Sequence, residues 1–501
     1  MQALVDSSDE RFDGVLSCFD RVIIIGSLPD ICYPEGLAAY LSTHHIRLFD
    51  FTQWAEPLRN ELRENAETLA AKEGIEIEFI RRKNFRKEKR IKAIIAQRGD
   101  HPGLVHIFSA MEPCMSFRAW HDKETHRTFL KTRQAQCLHY YFYFIDQDLG
   151  LCYLRVPTWA PFRLQFYFNG HNWLANRLEK RGIDFTLLDN AFIELSDYDK
   201  AQRISDRFDI RRLHRKLDTY SQQLCPVVNR FRSGVHWSIM QVEYATDLVF
   251  KKREALSAIY EPLVRTAVHA VKAENVATFL GRKLHGNFEG ELGNDFNTRI
   301  QGTRIKHNMG SASIKMYDKH GLVLRIETTA NDVSFFKHHR RVEHRDGTSS
   351  KQIAPVRKTI YSLAAMPELL GASNQRYIAF LSQLDKPESG LRQLEKISNS
   401  VRRDQRSHRG FNLFHGVDLD LFVAIARGEH RISGFRNRDL QQPLGRNGGQ
   451  VSRLLKLLRV HGIIKKVGRT YKYYLTHLGR SLIACALRLR EETVVPSLAN
   501  G

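Results

Sequence analysis

The chain has 501 residues, 42% of them hydrophobic, and its 77 lysines and arginines against 55 acidic residues leave a formal charge of +22. Length and apolar content allow about two to four domains with cores of their own, so disorder is not expected, and the charge excess implies a polyanionic partner. No run of about 18 apolar residues and no signal peptide is visible, the start MQALVDSSDERFDG being acidic and polar, so a cytoplasmic protein without membrane contact is expected. Cys18, Cys32, Cys114, Cys137, Cys152, Cys225 and Cys485 are scattered with no C-x-x-C pair, which argues against a disulfide framework or zinc finger and for buried thiols.

Residues 1–206 read as an α/β and aromatic-rich sheet domain. Arg21–Gly26 is a β-branched run, Glu35–Leu41 a helix, Ile46–Phe51 a second apolar run, Trp54–Ala71 a longer helix and Ile75–Ile80 a further strand, an alternation typical of an α/β layer. The glycines of GSLPDICYPEG lack the spacing that cradles a phosphate. Arg81, Arg82, Lys83, Arg86, Lys87, Lys89, Arg90 and Lys92 form the densest basic run, either a solvated helix face or a nucleic-acid contact. Gly103–Ala110 leads into Gln136–Asn169, where three aromatic-rich runs predict adjacent antiparallel strands. Tyr140, Tyr141, Phe142, Tyr143, Phe166, Tyr167 and Phe168 either stack bases, with Arg155 and Arg163 beside them, or fill a sheet core under a helix over Asn172–Lys180. The core is the commoner use of strand aromatics.

Residues 207–385 read as a central α+β domain, reached through the basic helical stretch Lys200–Leu224. Val235–Phe250 predicts a long strand with Gln241, Glu243, Ala245 and Asp247 on one face, followed by helices over Glu254–Lys272 and Glu274–Leu284. Ser311–Asp318 and Leu322–Thr328 predict a hairpin around Lys319-His320-Gly321, with Lys315, Tyr317, Arg325 and Glu327 gathered on its polar face. The pattern K-x-Y-D-K followed by L-R-x-E resembles the gene II type rolling-circle replication initiators of phages and plasmids, over a stretch from His236 to Arg340. That resemblance implies strand nicking, with Tyr317 as nucleophile beside Lys315 and Glu327, and with Glu243, Asp247 and Glu327 as hard oxygen ligands for Mg2+ or Mn2+. The His-apolar-His metal pair of the wider class has no counterpart here. The competing expectation is that Arg325 and Glu327 make cross-strand pairs on an exposed sheet. Phe335–Arg345 adds a basic edge, helices over Thr359–Leu370 and Asn374–Leu384 close the domain, and residues 386–411 are expected to be a linker.

In residues 412–491, Asp418–Ala426 and Arg438–Leu444 predict two short helices. A third follows in which Val451, Leu454, Leu455, Leu458 and Val460 share an apolar face and Gln450, Arg453, Lys456 and Arg459 mostly face away. After Gly462, Ile463–Val467 and Tyr471–Leu475 predict a hairpin carrying Lys465, Lys466, Arg469 and Lys472, and Leu478–Arg490 a closing helix. The words SRLLKLLRVHGIIKKVGRTYKYYLTHLG resemble the recognition helix and wing of the winged helix-turn-helix in MarR-like regulators. The resemblance implies duplex DNA binding, with the helix in the major groove and the basic hairpin on nearby phosphates, through Arg446, Gln450, Arg453, Lys456, Lys465, Lys466, Arg469 and Lys472.

An α+β multidomain protein is therefore expected, with an α/β N-terminal part, a central β-sheet domain with flanking helices, a C-terminal winged helix and a tail over residues 492–501. Its partner is nucleic acid, DNA before RNA, and its setting a mobile element, plasmid or phage. Alternatives are a metal-dependent nicking initiator or transposase-like nuclease, and a transcriptional regulator.

Overall fold

Val22, Ile23, Ile24 and Ile25 are all buried, as a strand covered on both faces requires, and form the middle of strand β1 (Phe12–Ser27). The computed structural model, which describes residues 11–82, 84–283, 292–299, 302–384, 397–403, 406–412, 415–427, 430, 434–468 and 470–488, shows a mixed α+β protein. Two compact units are each assembled from separated segments: Leu16–Tyr244 with Thr329–Glu368, and Met1–Val15 with Ala245–Thr328 and Leu369–Gly501. Among the described residues no helix is long and apolar enough to cross a membrane.

In the unit containing Leu16–Tyr244, β1 is followed by α1 (Pro34–Thr43), α2 (Phe51–Glu73), β2 (Ile77–Phe79), α3 (Lys87–Arg98), β3 (Gly103–Asp122), β4 (Arg127–Asp146), β5 (Gly150–Pro157) and β6 (Leu164–Asn169). Then come α4 (Gly170–Glu179), the hairpin of β7 (Phe185–Leu188) and β8 (Ala191–Leu195), α5 (Tyr198–Ser205), α6 (Ile210–Leu224) and β9 (His236–Phe250). The strand order is β1-β6-β5-β4-β3-β2, antiparallel throughout except for the parallel β2–β3 pair. Alternation along β4, β5 and β6 sends Phe142, Phe144, Phe166 and Phe168 to one face, where the Tyr220 ring of α6 lies 4.5 Å from Phe144 and 6.2 Å from Phe166. Tyr141, Tyr143 and Tyr153 take the other face, with Ile91 of α3 packed among them. The aromatic tract is thus core, and of its seven rings only Tyr167 is half-buried.

β3 and β4 run for 20 residues each, well beyond the Gly103–Ala110 run legible in the sequence. In their outer halves charged and polar residues interrupt the apolar ones on both faces, so the hydrophobic signal there is weaker. α6 is no free connection either: Lys216 donates to Asp146 at 2.6 Å and Arg212 to Asp148, at the turn between β4 and β5. Gly170 opens α4 where only a hydrogen fits, since a Cβ would lie 2.2 Å from the Phe19 carbonyl oxygen.

From Ala245 the second unit continues through α7 (Arg253–His269), α8 (Ala273–Phe279) and four strands in the order β10 (Leu292–Arg299), β11 (Gly302–Met309), β12 (Ala312–Lys319) and β13 (Val323–Ala330). His320 and Gly321, with φ of 61° and 74°, make the expected turn between β12 and β13. The expectation of an exposed polar face fails at β13, because every residue of that strand is buried, Arg325 and Glu327 included. Lys337–Glu343 (β14) and Ser349–Pro355 (β15) form a separate hairpin within the Thr329–Glu368 segment. Where two helices were expected, a 3-10 turn (Ile360–Ala365) leads into one continuous helix, α9 (Met366–Leu384). Pro367 suits the first turn, where no N–H is needed, and Gly371 is carried inside the helix rather than ending it.

The C-terminal segment holds β16 (Val401–Arg403), β17 (Arg406–His408), α10 (Gly416–Ala426), α11 (Asn437–Leu444), α12 (Gly448–Val460), β18 (Ile464–Lys466), β19 (Tyr473–Leu475) and α13 (His477–Arg488). Leu421, Phe422, Ile425, Phe435, Leu440, Val451, Leu458 and Leu482 are among the residues of its core. The stretch expected to be a linker is partly built into this fold: Ile397 and Phe411 lie in the same core, and Arg409 clamps Asp418 with bonds of 2.7 and 2.6 Å. The rest of that expectation, residues 386–396 and 404–405, falls outside the described residues, as does the tail over residues 492–501.

Candidate nucleic-acid interface and central polar cluster

α12 begins with a capping box: the Asn447 side chain accepts from Gln450 N at 3.0 Å, and Gln450 Oε1 accepts from Asn447 N at 3.1 Å. Apolar spacing over about two turns then buries Val451, Leu454, Leu455 and Leu458, which fixes the helix's rotation and leaves Gln450, Arg453, Lys456 and Arg459 exposed. Behind it, β18 and β19 pair from Ile464↔Leu475 to Lys466↔Tyr473, and Phe435 adds a bridge to Tyr473 that the sequence did not reveal. Lys465 and Lys466 are exposed, whereas Arg446 and Lys472 are half-buried. Lys466 sits 5.5 Å from the ring centre of Tyr471, itself 80% exposed. Among the described residues, Arg453, Lys456, Arg459, Lys465 and Lys466 have no acidic partner within 4.0 Å, so their charge is available to an anion. Arg469 lies outside the described residues.

The basic run from Arg81 to Lys92 divides. Lys87 is drawn in beside Glu112 at 3.6 Å and over the Tyr141 ring at 3.1 Å from its centre, and burial lowers its pKa. Glu112 is half-buried, and the loss of solvent would raise its pKa, but hydrogen bonds from Tyr141 and Arg155 bring it below the usual carboxylate range. Arg90 pairs with Glu78 at 3.1 Å, and Lys92 with Asp189 at 2.5 Å. Arg81, Arg82, Arg86 and Lys89 face outward, and Arg82, Arg86 and Lys89 border a shallow groove with Phe85. Lys83 lies outside the described residues. Lys87 is thus part of the packed cluster and Arg90 and Lys92 are paired at the surface, a division that charge counting does not register.

In the second unit, Glu327 is 2% exposed and receives a bond on each oxygen, from Lys315 Nζ at 2.5 Å and from the Tyr317 hydroxyl at 2.7 Å. Glu327 thus makes its cross-strand pair with Lys315, and the pair is buried instead of exposed as expected. Arg325, fully buried, instead grips Asp247 on β9 with two bonds of 2.6 Å. Asp247 does not fit as a metal ligand, since both its oxygens are committed to a guanidinium. In the other unit, Glu243 accepts from Gln241 at 3.3 Å and Thr329 at 3.4 Å, and its carboxylate lies within 4.8 Å of that of Asp20. Asp20, which sequence reasoning missed, is buried and accepts from Asn169 and Asn190 at 2.7 and 2.6 Å. Its only sequence signal was an acid set beside the β-branched run of β1.

Comparison with known proteins yields no match, whether to a protein-family model, a curated protein or a solved structure.

Proposed function

We propose that this protein binds nucleic acid, duplex DNA first of all, through its C-terminal segment, with α12 as a recognition helix and the β18–β19 hairpin as a wing. One observation carries this reading: Arg453, Lys456 and Arg459 stand exposed on a helix whose opposite face is locked into a core, and Lys465 and Lys466 stand exposed on the hairpin that follows it. A helix fits the major groove, and counterion release from phosphates favours such an array of unpaired cations. The test is duplex binding by the whole chain with Arg453 and Lys456 both changed to Ala. A loss of a few kcal/mol is expected, together with a salt slope shallower by about 2. Unchanged affinity at matched salt would refute the assignment.

A second reading, metal-dependent strand cleavage, is favoured by the Tyr317–Glu327 bond. In this reading Glu327 takes the phenolic proton as the Tyr317 oxygen attacks a phosphate, the bond to the 3′-oxygen breaks as the phosphotyrosine forms, and the departing oxygen takes a proton from water to leave as a 3′-hydroxyl, with Lys315 bonded to the carboxylate throughout. Incubation with a suicide oligonucleotide and Mg2+ or Mn2+ should then trap an adduct that Tyr317→Phe cannot form. Absence of any adduct or cut strand retires this reading and leaves the binding one standing.

A further inference from the structure

The outer half of the β3–β4 hairpin carries features that neither reading uses. Its rungs Ser116↔Arg133, Arg118↔Lys131 and Trp120↔Phe129 lie on one face of the ladder, because directly paired residues share a face. The intervening rungs, Phe117↔Thr132 and Ala119↔Leu130, lie on the opposite face, where Phe117 and Leu130 are buried and the Phe117 ring meets Phe51 of α2. Alternation therefore turns the Arg118↔Lys131 and Trp120↔Phe129 rungs outward, together with Arg133, while Ser116 is buried and accepts from Trp159 Nε1 at 2.9 Å. On this outward face Trp120 is 41% and Phe129 39% exposed, and Arg118, Lys131 and Arg133 are exposed beside them. Lys131 Nζ lies 4.2 Å from the Trp120 ring centre and 5.3 Å from that of Phe129, and the Arg118 guanidinium 5.2 Å from Trp120.

Among the described residues none of these three cations has an acidic partner within 4.0 Å. Asp122, at the tip, is occupied with Glu124 N and the Thr125 hydroxyl. Lys131 lends Asp122 a long-range charge, and beyond that the two large rings and three cations of this strand face contact chiefly one another.

We propose that this face of the hairpin binds single-stranded nucleic acid, with bases stacking on Trp120 and Phe129 and phosphates running along Arg118, Lys131 and Arg133. The chemistry selects a single strand. Only unpaired bases offer a free π-face, and a duplex presents its phosphates but hides its rings. A base stacked on a ring gains more than an exposed cation–π contact gives up, so Lys131 and Arg118 are displaced from Trp120 onto phosphates at a net gain. Inward along the same face, past the Cys114↔Ala135 rung, the track meets a cavity of about 210 Å³ bordered by Cys114, His139, Arg155, Trp159 and Arg163.

The experiment is fluorescence anisotropy of the full chain with a labelled oligothymidine and with a labelled duplex, at several salt concentrations. Trp120→Ala with Phe129→Ala should weaken oligothymidine binding by about tenfold or more with little change in salt slope, as loss of stacking predicts. Arg118→Gln, Lys131→Gln and Arg133→Gln together should lower the single-strand slope by about 2, at roughly 0.7 per phosphate. Trp120→Phe, which keeps a stacking ring and the fold, should retain most of the affinity. Duplex binding should be untouched by all three. The Arg453→Ala, Lys456→Ala variant should show the reverse pattern, so failure here is distinguishable from failure of the α12 assignment. Parental oligothymidine affinity in the ring variant, an equal loss on the duplex, or binding of anionic vesicles in place of the oligonucleotide would each overturn the proposal.

Discussion

Replacing Glu327 by Ala separates a buried ion pair from a decorative one. The carboxylate is 2% exposed, the Lys315 side chain 16%, and the two bonds to Glu327 measure 2.5 and 2.7 Å. On an exposed sheet, loss of such a pair would cost no more than about 1 kcal/mol. Relief of repulsion among clustered carboxylates would even raise stability. Here the substitution strips an ammonium and a hydroxyl of a shared acceptor where water cannot replace it. One-sided rupture of a buried pair costs about 3 to 5 kcal/mol, and the residual access at Lys315 argues for the lower end, about 3 kcal/mol. Urea unfolding of the whole chain, followed by a probe in the second unit, reads this as a shift of the midpoint at unchanged slope. Lys315→Met with Glu327→Leu, which removes both charges and keeps the volume, should recover more than half of the loss. A cost below about 1 kcal/mol for Glu327→Ala at an unchanged slope would show that the cluster is hydrated and the reasoning wrong.

Burial holds the imidazoles of His139 and His307 down at about 4, below the ordinary value of 6.5. The unfolded chain then binds the extra protons between those values, so stability should be complete above pH 6.5 and fall towards pH 4 by up to about 1.4 kcal/mol per unit for each ring. An acid titration of stability that is flat across this window, or unaltered in His307→Gln, would count against it. Gly170→Ala should destabilise by about 2 kcal/mol or more, because the new methyl meets the Phe19 carbonyl oxygen at 2.2 Å, and a thermal shift within error would refute that. Asp418→Ala should loosen the start of the C-terminal fold by about 2 kcal/mol, read as faster amide exchange at Asn412, whose N–H the same carboxylate accepts at 3.0 Å.

What was legible in the sequence followed from local signals. Periodicity placed α2, β9, α10 and α12 within a few residues, and the glycine-bearing turn fixed the β12–β13 hairpin, because each depends on neighbours in the chain. Burial of β13 was illegible, since its alternating Arg325 and Glu327 look like a solvent face until their distant partners Asp247 and Lys315 are known. The outer β3–β4 hairpin escaped notice for a related reason: Arg118, Trp120, Phe129 and Lys131 make sense together only once two strands are in register. Lys87 and Arg90 looked like part of a uniform charge block, and only their contacts with Glu112 and Glu78 set them apart.

The interleaving of segments sets a timetable for synthesis. The unit that starts at Leu16 lacks its Thr329–Glu368 piece until that piece has left the ribosome, and by then the intervening Ala245–Thr328, which belongs elsewhere, is already out. Neither body can close on a first-in, first-folded basis, so a long nascent chain must carry open apolar surface, where aggregation competes with folding. Nascent chains halted before Thr329 should accordingly be cut by protease within Leu16–Tyr244, and chains extended well past Glu368 should resist.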